Sequence, residues 1–390
     1  MVDFRDTEQE AAFRSDVRAF IAEHGDKGAG SGEEARADRA TLDPWRDALV
    51  ERGWIAPAWP VEVGGAGLSI IEQFILNQEF AEHGLANVGG LGVNFFGPAL
   101  IIHGTDEQKR EHLGALLRGE VMWCQGWSEP GAGSDLASLQ TRALREGDEY
   151  IVNGQKIWTS GAQFADKMYL LTRTDPDAPK HRGISLLTLD MRQPGVSVRP
   201  LTTMDNRQPF NEVFFEDVHV PVSNRVGEEN RGWYVGMTVT DFERSSIGSN
   251  VGAQRRLRET LKIAVGHAEH EVRGRASYQW RHDFTDRWIE AEVSRLFAYR
   301  VVTMQNRGLV PNHEGSMAKV FLSDVGQRIA ATELKLYGLY GGLWDQGRSE
   351  AEGGAVATRF LGAVSRSIAG GTSEIQRNII ATRGLGLPRG

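Results

Sequence analysis

The pattern of apolar residues changes period twice along this chain, and that double change limits what it can fold into. Up to about residue 120 the apolar residues recur at helical spacing, as in Phe13, Val17, Phe20 and Ile21 behind a Thr7/Glu10 capping box. Further helices are expected over roughly Pro44–Arg52 and Ser69–His83, and after Thr105/Gln108, with Leu113, Leu116 and Leu117 on one face. Between the first two of these, APAWPVEVGGAG (56–67) carries too many prolines and glycines for regular structure. At Val121 the period shortens to that of strands. Tyr150-Ile-Val, Asn153-Gly154 and Ile157-Trp158 read as a hairpin around a turn dipeptide. Short β-rich runs follow at Met168–Thr172, Gly183–Leu189 and Glu212–Phe215. From Asn230 the helical spacing returns, ending with a helix over Ser373–Arg383. The expectation is an α+β protein in three parts: a helical N-terminal domain (1–120), a central β domain (121–228) and a C-terminal helical domain (229–390).

Composition excludes several functions. A net charge of −8 offers no basic stripe for nucleic-acid phosphates. The single cysteine, Cys124, forbids an internal disulfide framework and suits a reducing cytoplasm. The start, MVDFRDTEQE, has the character of neither a signal nor a transit peptide, and no apolar run is long enough to span a membrane. The expected location is the cytoplasm, and no metal-ligand pattern stands out.

Three segments carry residues suited to chemistry. In WCQGWSEPGAGSD (Trp123 to Asp135) a short strand brings Gln125, Trp127 and Ser128, then breaks at Pro130 into a glycine-rich loop ending at Ser134. An ordinary surface turn has the same local appearance. Trp158-Thr159-Ser160 sets an aromatic ring beside two hydroxyls, suited to a polar-edged ring system or equally to a core tryptophan. GGTSEIQRNII (Gly370 to Ile380) is a helix N-terminus behind two glycines, able to hold an anionic or polar ligand edge or simply to cap a surface helix. Its glycine spacing is not that of a dinucleotide fingerprint.

Together and in this order, the three segments resemble the acyl-CoA dehydrogenases, flavoproteins that desaturate acyl-CoA thioesters between Cα and Cβ. The similarity also covers WRDALVERGWIAPAWP, EVGGAGLS, GTDEQKREHL, VNGQKIWTSG, PDAPKHRGIS and NEVFFEDVHVP. It implies a C-terminal four-helix bundle, with FAD lying between the β domain and the C-terminal helices of two subunits. Carried over by match, Gln125, Trp127, Ser128 and Ser134 meet the flavin, and Ser134 also stands near the thioester. Trp158, Thr159 and Ser160 stand behind the ring system, and Thr372 and Glu374 sit at the loop entering the last helix. The resemblance also implies an acyl-CoA substrate, an electron acceptor such as an electron-transferring flavoprotein, and an oligomer built as a dimer of dimers.

In many relatives the residue before Gly-Thr in this last loop is the glutamate that removes the α-proton. Here it is Gly370, which cannot take a proton. Some members carry the base on the first long helix of the C-terminal domain. The matching segment here is VTDFERSSIG, with Glu243 at the matching position, while Asp241 and Arg244 match positions that contact CoA. Glu374, one turn into the last helix, is a poorer candidate. In the implied mechanism the Gly370 N–H and a flavin ribityl hydroxyl stabilise the developing enolate. Desolvation strengthens Glu243 as a base, and hydride leaves for flavin N5.

The chain departs from the family where relatives reach a neighbour's FAD pyrophosphate. An Arg-x-Gln-Phe-Gly stretch is replaced by RGRASYQWRHDF (Arg273 to Phe284), in which Arg273, Arg275 or Arg281 could substitute for the missing arginine. Gln-x-x-Gly-Gly is only loosely present in KLYGLYGG (Lys335 to Gly342). This asymmetry suits one subunit of a mixed α2β2 complex with half the usual flavins, and a rebuilt homo-oligomer is the alternative. A non-catalytic subunit and an acyl-CoA oxidase also remain open. Gly370 and Gly248 leave room for a bulky or branched acyl chain.

Overall fold

A computed structural model describes residues 5–28, 39–85, 88–245, 250–268, 276–343 and 354–388. The helices are α1 (Glu8–Gly28), α2 (Arg39–Glu51), α3 (Ile70–His83), α4 (Gly97–His103) and α5 (Asp106–Arg118), then α6 (Gly232–Ser245), α7 (Asn250–Ala268), α8 (Ala276–Asn306), α9 (His313–Tyr337), α10 (Ala355–Ala363) and α11 (Ser373–Ile379). The strands are β1 (Trp123–Gly126), β2 (Arg142–Glu146), β3 (Glu149–Lys156), β4 (Lys167–Arg173), β5 (Ile184–Asp190), β6 (Val196–Leu201), β7 (Phe210–Pro221) and β8 (Arg225–Val226). The order along the chain is helices, sheet, helices, as the periods require. None of the described helices is long and apolar enough to cross a membrane.

The chain forms two compact units, neither of them a continuous stretch. One takes residues 1–30, 69–86 and 247–390; the other takes 31–68 and 87–246. The first is all-helical, with α3 packed on α1, α7 and α8, and α9 on α8, α10 and α11. Its buried carboxylates are used as ties. Glu79 accepts from Arg14 (2.9 Å) and from Arg18 (2.9 and 3.0 Å), holding α1 to α3. Burial pushes the Glu79 carboxyl up, but the two arginines outweigh it and hold it below the ordinary range. Glu333 of α9 is a second such tie, pairing with Arg256 of α7 and, at 3.1 Å, with Arg359 of α10. Leu257, Phe284, Ala291, Val325 and Ile329 form an apolar core beside it.

The second unit joins α2, α4, α5 and α6 to an eight-stranded sheet of order β6-β7-β3-β2-β4-β5-β8, with β1 paired in parallel to β4. Tyr150, Val152, Met168, Leu170, Leu187, Val213 and Val218 make its core, and Cys124 lies buried among them. On the other face of β1 and β4 lie the helices. Phe96, in a π-helical turn over Gly92–Phe96, stacks on Tyr169 with centroids 4.9 Å apart and planes 5° apart. Helix α6 approaches at Gly236, where an added Cβ would lie 3.6 Å from the Trp127 ring.

The capping boxes at Thr7/Glu10 and Thr105/Gln108 form as expected. The Asn153-Gly154 hairpin does not. Strand β3 runs straight through it, and the hairpin turn is Gly147-Asp148, with Gly147 at φ +62° and Glu146 facing Glu149. Asn153 instead faces an irregularity. The register shifts between Val152 and Gly154, where Glu216 and Asp217 of β7 oppose it. Asp217 takes φ +47°, and Asn153 exchanges hydrogen bonds with it at 2.9 and 3.0 Å. That is a β-bulge, which uses the same residue types as a turn. A Cβ at Gly154 would stand 2.7 Å from Thr141 Cα. Gly154→Ala is therefore expected to cost ~2 kcal/mol or more, whereas Gly147→Ala, with open space around it, costs about 1 kcal/mol. Urea unfolding of the two variants checks this; equal losses would return the turn to Asn153-Gly154.

Candidate functional site

The end of β1 and the end of β3 are tied together by a buried ion pair. Alternation along β3 turns Tyr150, Val152 and Lys156 inward, and the Lys156 side chain is wholly buried. A buried ammonium needs acceptors. Lys156 Nζ finds Glu129 Oε1 at 2.8 Å and the Trp127 carbonyl at 3.0 Å. The Glu129 carboxylate also accepts the amides of Gln140 (2.6 Å) and Thr141 (2.9 Å). Burial pulls the Lys156 amine down to about 8, against the opposing pull of Glu129. Burial pushes Glu129 up, but Lys156 and the two neighbouring donors outweigh it and hold the carboxyl below its ordinary range. The carboxylate gains from the pairing, while the fully dehydrated amine loses more than its partner returns.

This tie joins the backbone at Trp127-Ser128 to the segment leading into Trp158-Thr159-Ser160. The Ser128 carbonyl accepts from Ile157 N at 2.9 Å. Trp158 then takes φ +61°, a left-handed conformation that costs a non-glycine residue about 1–3 kcal/mol. Its ring is 57% exposed, with an edge contact to Phe210, so it is not a core tryptophan. Behind it Thr159 is 1% exposed, and Asn211 bonds both its N–H and its C=O. Yet Thr159 Oγ1 has no hydrogen-bond partner, nor has Trp127 Nε1, although Trp127 is only 8% exposed. Buried donors without acceptors are rare, and here two occur on adjoining segments. Ser134 and Ser160 are exposed. The loop before Ser134 is held by reciprocal Glu129–Ala132 amide bonds of 3.1 and 3.0 Å.

In the helical unit, Thr372 caps α11 by accepting from Ile375 N at 3.2 Å. Gly370 and Gly371 both take left-handed backbone, φ +64° and +85°. The Gly370 carbonyl accepts from Gln376 Nε2 at 3.1 Å, which fixes the loop on the helix. Ser373 Oγ is buried without a partner. Glu374 points to solvent, its side chain 77% exposed and 3.6 Å from Arg377. Position 243 lies in the last turn of α6. The side chains of Asp241, Glu243 and Arg244, together with Gly248, Arg273 and Arg275, lie outside the described part of the structure. Arg281 is described, its guanidinium 5.8 Å from the centroid of the Trp280 ring.

Family models cover nearly all of this chain: an acyl-CoA dehydrogenase N-terminal domain over residues 7–120, a middle domain over 124–218 and a C-terminal domain over 230–385. The chain is a member of the acyl-CoA dehydrogenase family. It is 32% identical to acyl-CoA dehydrogenase IpdE1 of Mycobacterium tuberculosis, over 97% of both chains. Among solved structures it matches a chain of the Tcur3481-Tcur3483 steroid ACAD with a TM-score of 0.84 and 31% identity, over all of both chains. It matches a chain of the ChsE4-ChsE5 complex from Mycobacterium tuberculosis with a TM-score of 0.83 and 34% identity, again over all of both.

Acyl-CoA dehydrogenases are flavoproteins, and the residues present fit such a group. Trp127 Nε1 and Thr159 Oγ1 are buried donors suited to an acceptor-rich heterocycle, and Trp158, next to Thr159 in the chain, offers an exposed ring. In the helical unit, Ser373 Oγ at the capped start of α11 is likewise buried without a partner. Sequence reasoning missed Lys156 and Glu129, which hold the flavoprotein motif in shape. Strand parity was the available signal, since it puts a lysine on the same side as Tyr150 and Val152. Lys156→Met is expected to destabilise by about 3–5 kcal/mol, because Glu129 is left charged and buried. Adding Glu129→Gln should return at least half of that. Urea unfolding decides, and a single-variant loss below 1 kcal/mol would show the pair to be incidental.

Proposed function

We propose that the chain carries out FAD-dependent α,β-dehydrogenation of an acyl-CoA thioester, with Glu243 removing the α-proton. The observation that carries the cofactor reading is the pair of orphaned buried donors, Trp127 Nε1 and Thr159 Oγ1, next to the exposed, left-handed Trp158. Gln125, Ser128, Ser134, Ser160, Thr372 and Glu374 complete the proposed FAD contacts. Bound FAD supplies the acceptor for the β-hydride. Gly370 offers its backbone N–H to the thioester carbonyl but no base, and its left-handed backbone is one that a glutamate adopts at a cost of ~1–2 kcal/mol. The base must come from elsewhere. Positions 236, 239 and 243 follow one another at helical spacing on α6, and Gly236 meets Trp127 while Val239 is fully buried. Position 241 falls off that line, which supports Glu243 over Asp241. We assign Asp241, Arg244 and Ser134 to the CoA thioester.

The substrate we propose is a bulky acyl-CoA of the steroid-derived kind named for the Tcur3481-Tcur3483 enzyme, with Gly370 leaving room beside it. Electrons pass to an acceptor such as an electron-transferring flavoprotein, in the cytoplasm. The domain limits proposed are 1–120, 121–228 and 229–390. One observation favours assembly with a second, similar chain, as in the two-component ChsE4-ChsE5 complex. Lys335, at the position where relatives carry glutamine, is paired to Asp283 at 3.0 Å. The two altered elements thus satisfy each other within one chain, and that charge is already engaged.

Glu243→Gln is expected to lower kcat by at least ~10²-fold with FAD content unchanged, measured with an acyl-CoA panel and an artificial acceptor. Activity within tenfold of wild type would remove Glu243 from the role. The chain expressed alone should purify with less than one FAD per subunit, and co-expression with a chain bearing Arg-x-Gln-Phe-Gly should raise occupancy. One tightly held FAD per chain in a homotetramer would show a rebuilt interface.

A further inference from the structure

Gln125 has a partner that settles what it can offer a ligand. Strands β1 and β4 run parallel with Gln125 beside Tyr169 in register. The Tyr169 hydroxyl donates to Gln125 Oε1 at 2.7 Å. Tyr169 is 0% exposed and its ring is clamped flat against Phe96, so the hydroxyl has little freedom to turn elsewhere. A glutamine amide has one carbonyl and one NH2. With the carbonyl engaged, the NH2 is what remains, and Nε2 has no hydrogen-bond partner among the described residues.

We propose that Tyr169 is a positioning residue: it fixes the Gln125 amide so that the site presents N–H donors rather than a carbonyl. Gln125 lies in β1 and Trp127 directly follows the strand's last residue, two positions on and so on the same side of an extended chain; the other N–H there, Trp127 Nε1, is also without a partner. Two donors side by side match the carbonyl and imine acceptors along the edge of an isoalloxazine. Turned over, the same amide would set oxygen against those acceptors and repel them. Donors aimed where negative charge accumulates favour the electron-rich, reduced form of the ligand. Tyr169 therefore sets how readily the cofactor accepts electrons without touching it. This assignment rests on the FAD reading above.

The test uses the full chain reconstituted with excess FAD, and compares wild type, Tyr169→Phe, Gln125→Leu and the double variant. Tyr169→Phe keeps the ring and its stack on Phe96 while removing only the hydroxyl. The expected result is a shifted visible spectrum of bound flavin and a more negative midpoint potential in each single variant. The double variant should shift no further than Gln125→Leu alone, as coupled neighbours do. Reduction by a saturating acyl-CoA should slow about tenfold with KM unchanged. If Tyr169→Phe does not fold, Gln125→Glu serves, since it keeps the acceptor for Tyr169 and replaces the donors with oxygen; its potential should also fall. Flavin bound with wild-type spectrum and potential in Tyr169→Phe, or in Gln125→Glu, overturns the proposal, as do additive shifts in the double variant. Failure of wild type to take up any FAD overturns the functional reading itself, and this assignment with it.

Discussion

The sheet-containing unit depends on one buried ammonium. Lys156 gives up its hydration to bond the Trp127 carbonyl and the Glu129 carboxylate, which in turn holds the amides at the start of β2. Three stretches that lie apart in sequence, around 127–129, 140–141 and 156–159, become one rigid corner. Dehydrating an ion costs several kcal/mol, so such a pair is a poor source of stability compared with an apolar contact of the same size. Its value lies in geometry. The Trp127 carbonyl and the residues after Lys156 cannot shift without breaking a buried charge contact, and that holds Trp158 in a conformation it would not adopt alone.

The same corner explains how far the sequence could be read. Period alone revealed the succession of helices, sheet and helices, because burial on one face writes itself into spacing. Capping boxes marked helix starts correctly for the same local reason: their hydrogen bonds span three residues. Asn153-Gly154 misled because turns and bulges draw on the same residues, and only the partner strand distinguishes them. The candidate site was legible as motifs but not as contacts. Gln125 and Trp158 stood out as residue types; their dependence on Tyr169 and Lys156 runs through strand pairing that spacing does not encode.

Gly370 and Trp158 show two uses of left-handed backbone in one molecule. Gly370 adopts it without a Cβ to object, so the loop can pass close to a ligand while contributing only main chain. Trp158 adopts it against preference and gains an exposed ring with a fixed direction. In the first case the site is defined by what is missing; in the second, by strain that the neighbouring strands sustain.

The interleaving of the two units has a consequence for how the chain is made. Helices α1 and α3 emerge early and pack on each other, yet α3 also packs on α7 and α8, which belong to the segment beginning at residue 247. Phe74, Ile75 and Phe80 of α3 are all buried in the finished protein. At ribosomal speeds of roughly 5–20 residues per second, they wait on the order of ten seconds or more for their partners. The whole sheet can form in that interval. The early helices are thus held as an unfinished half-core, the stage at which a chaperone finds this nascent chain most exposed.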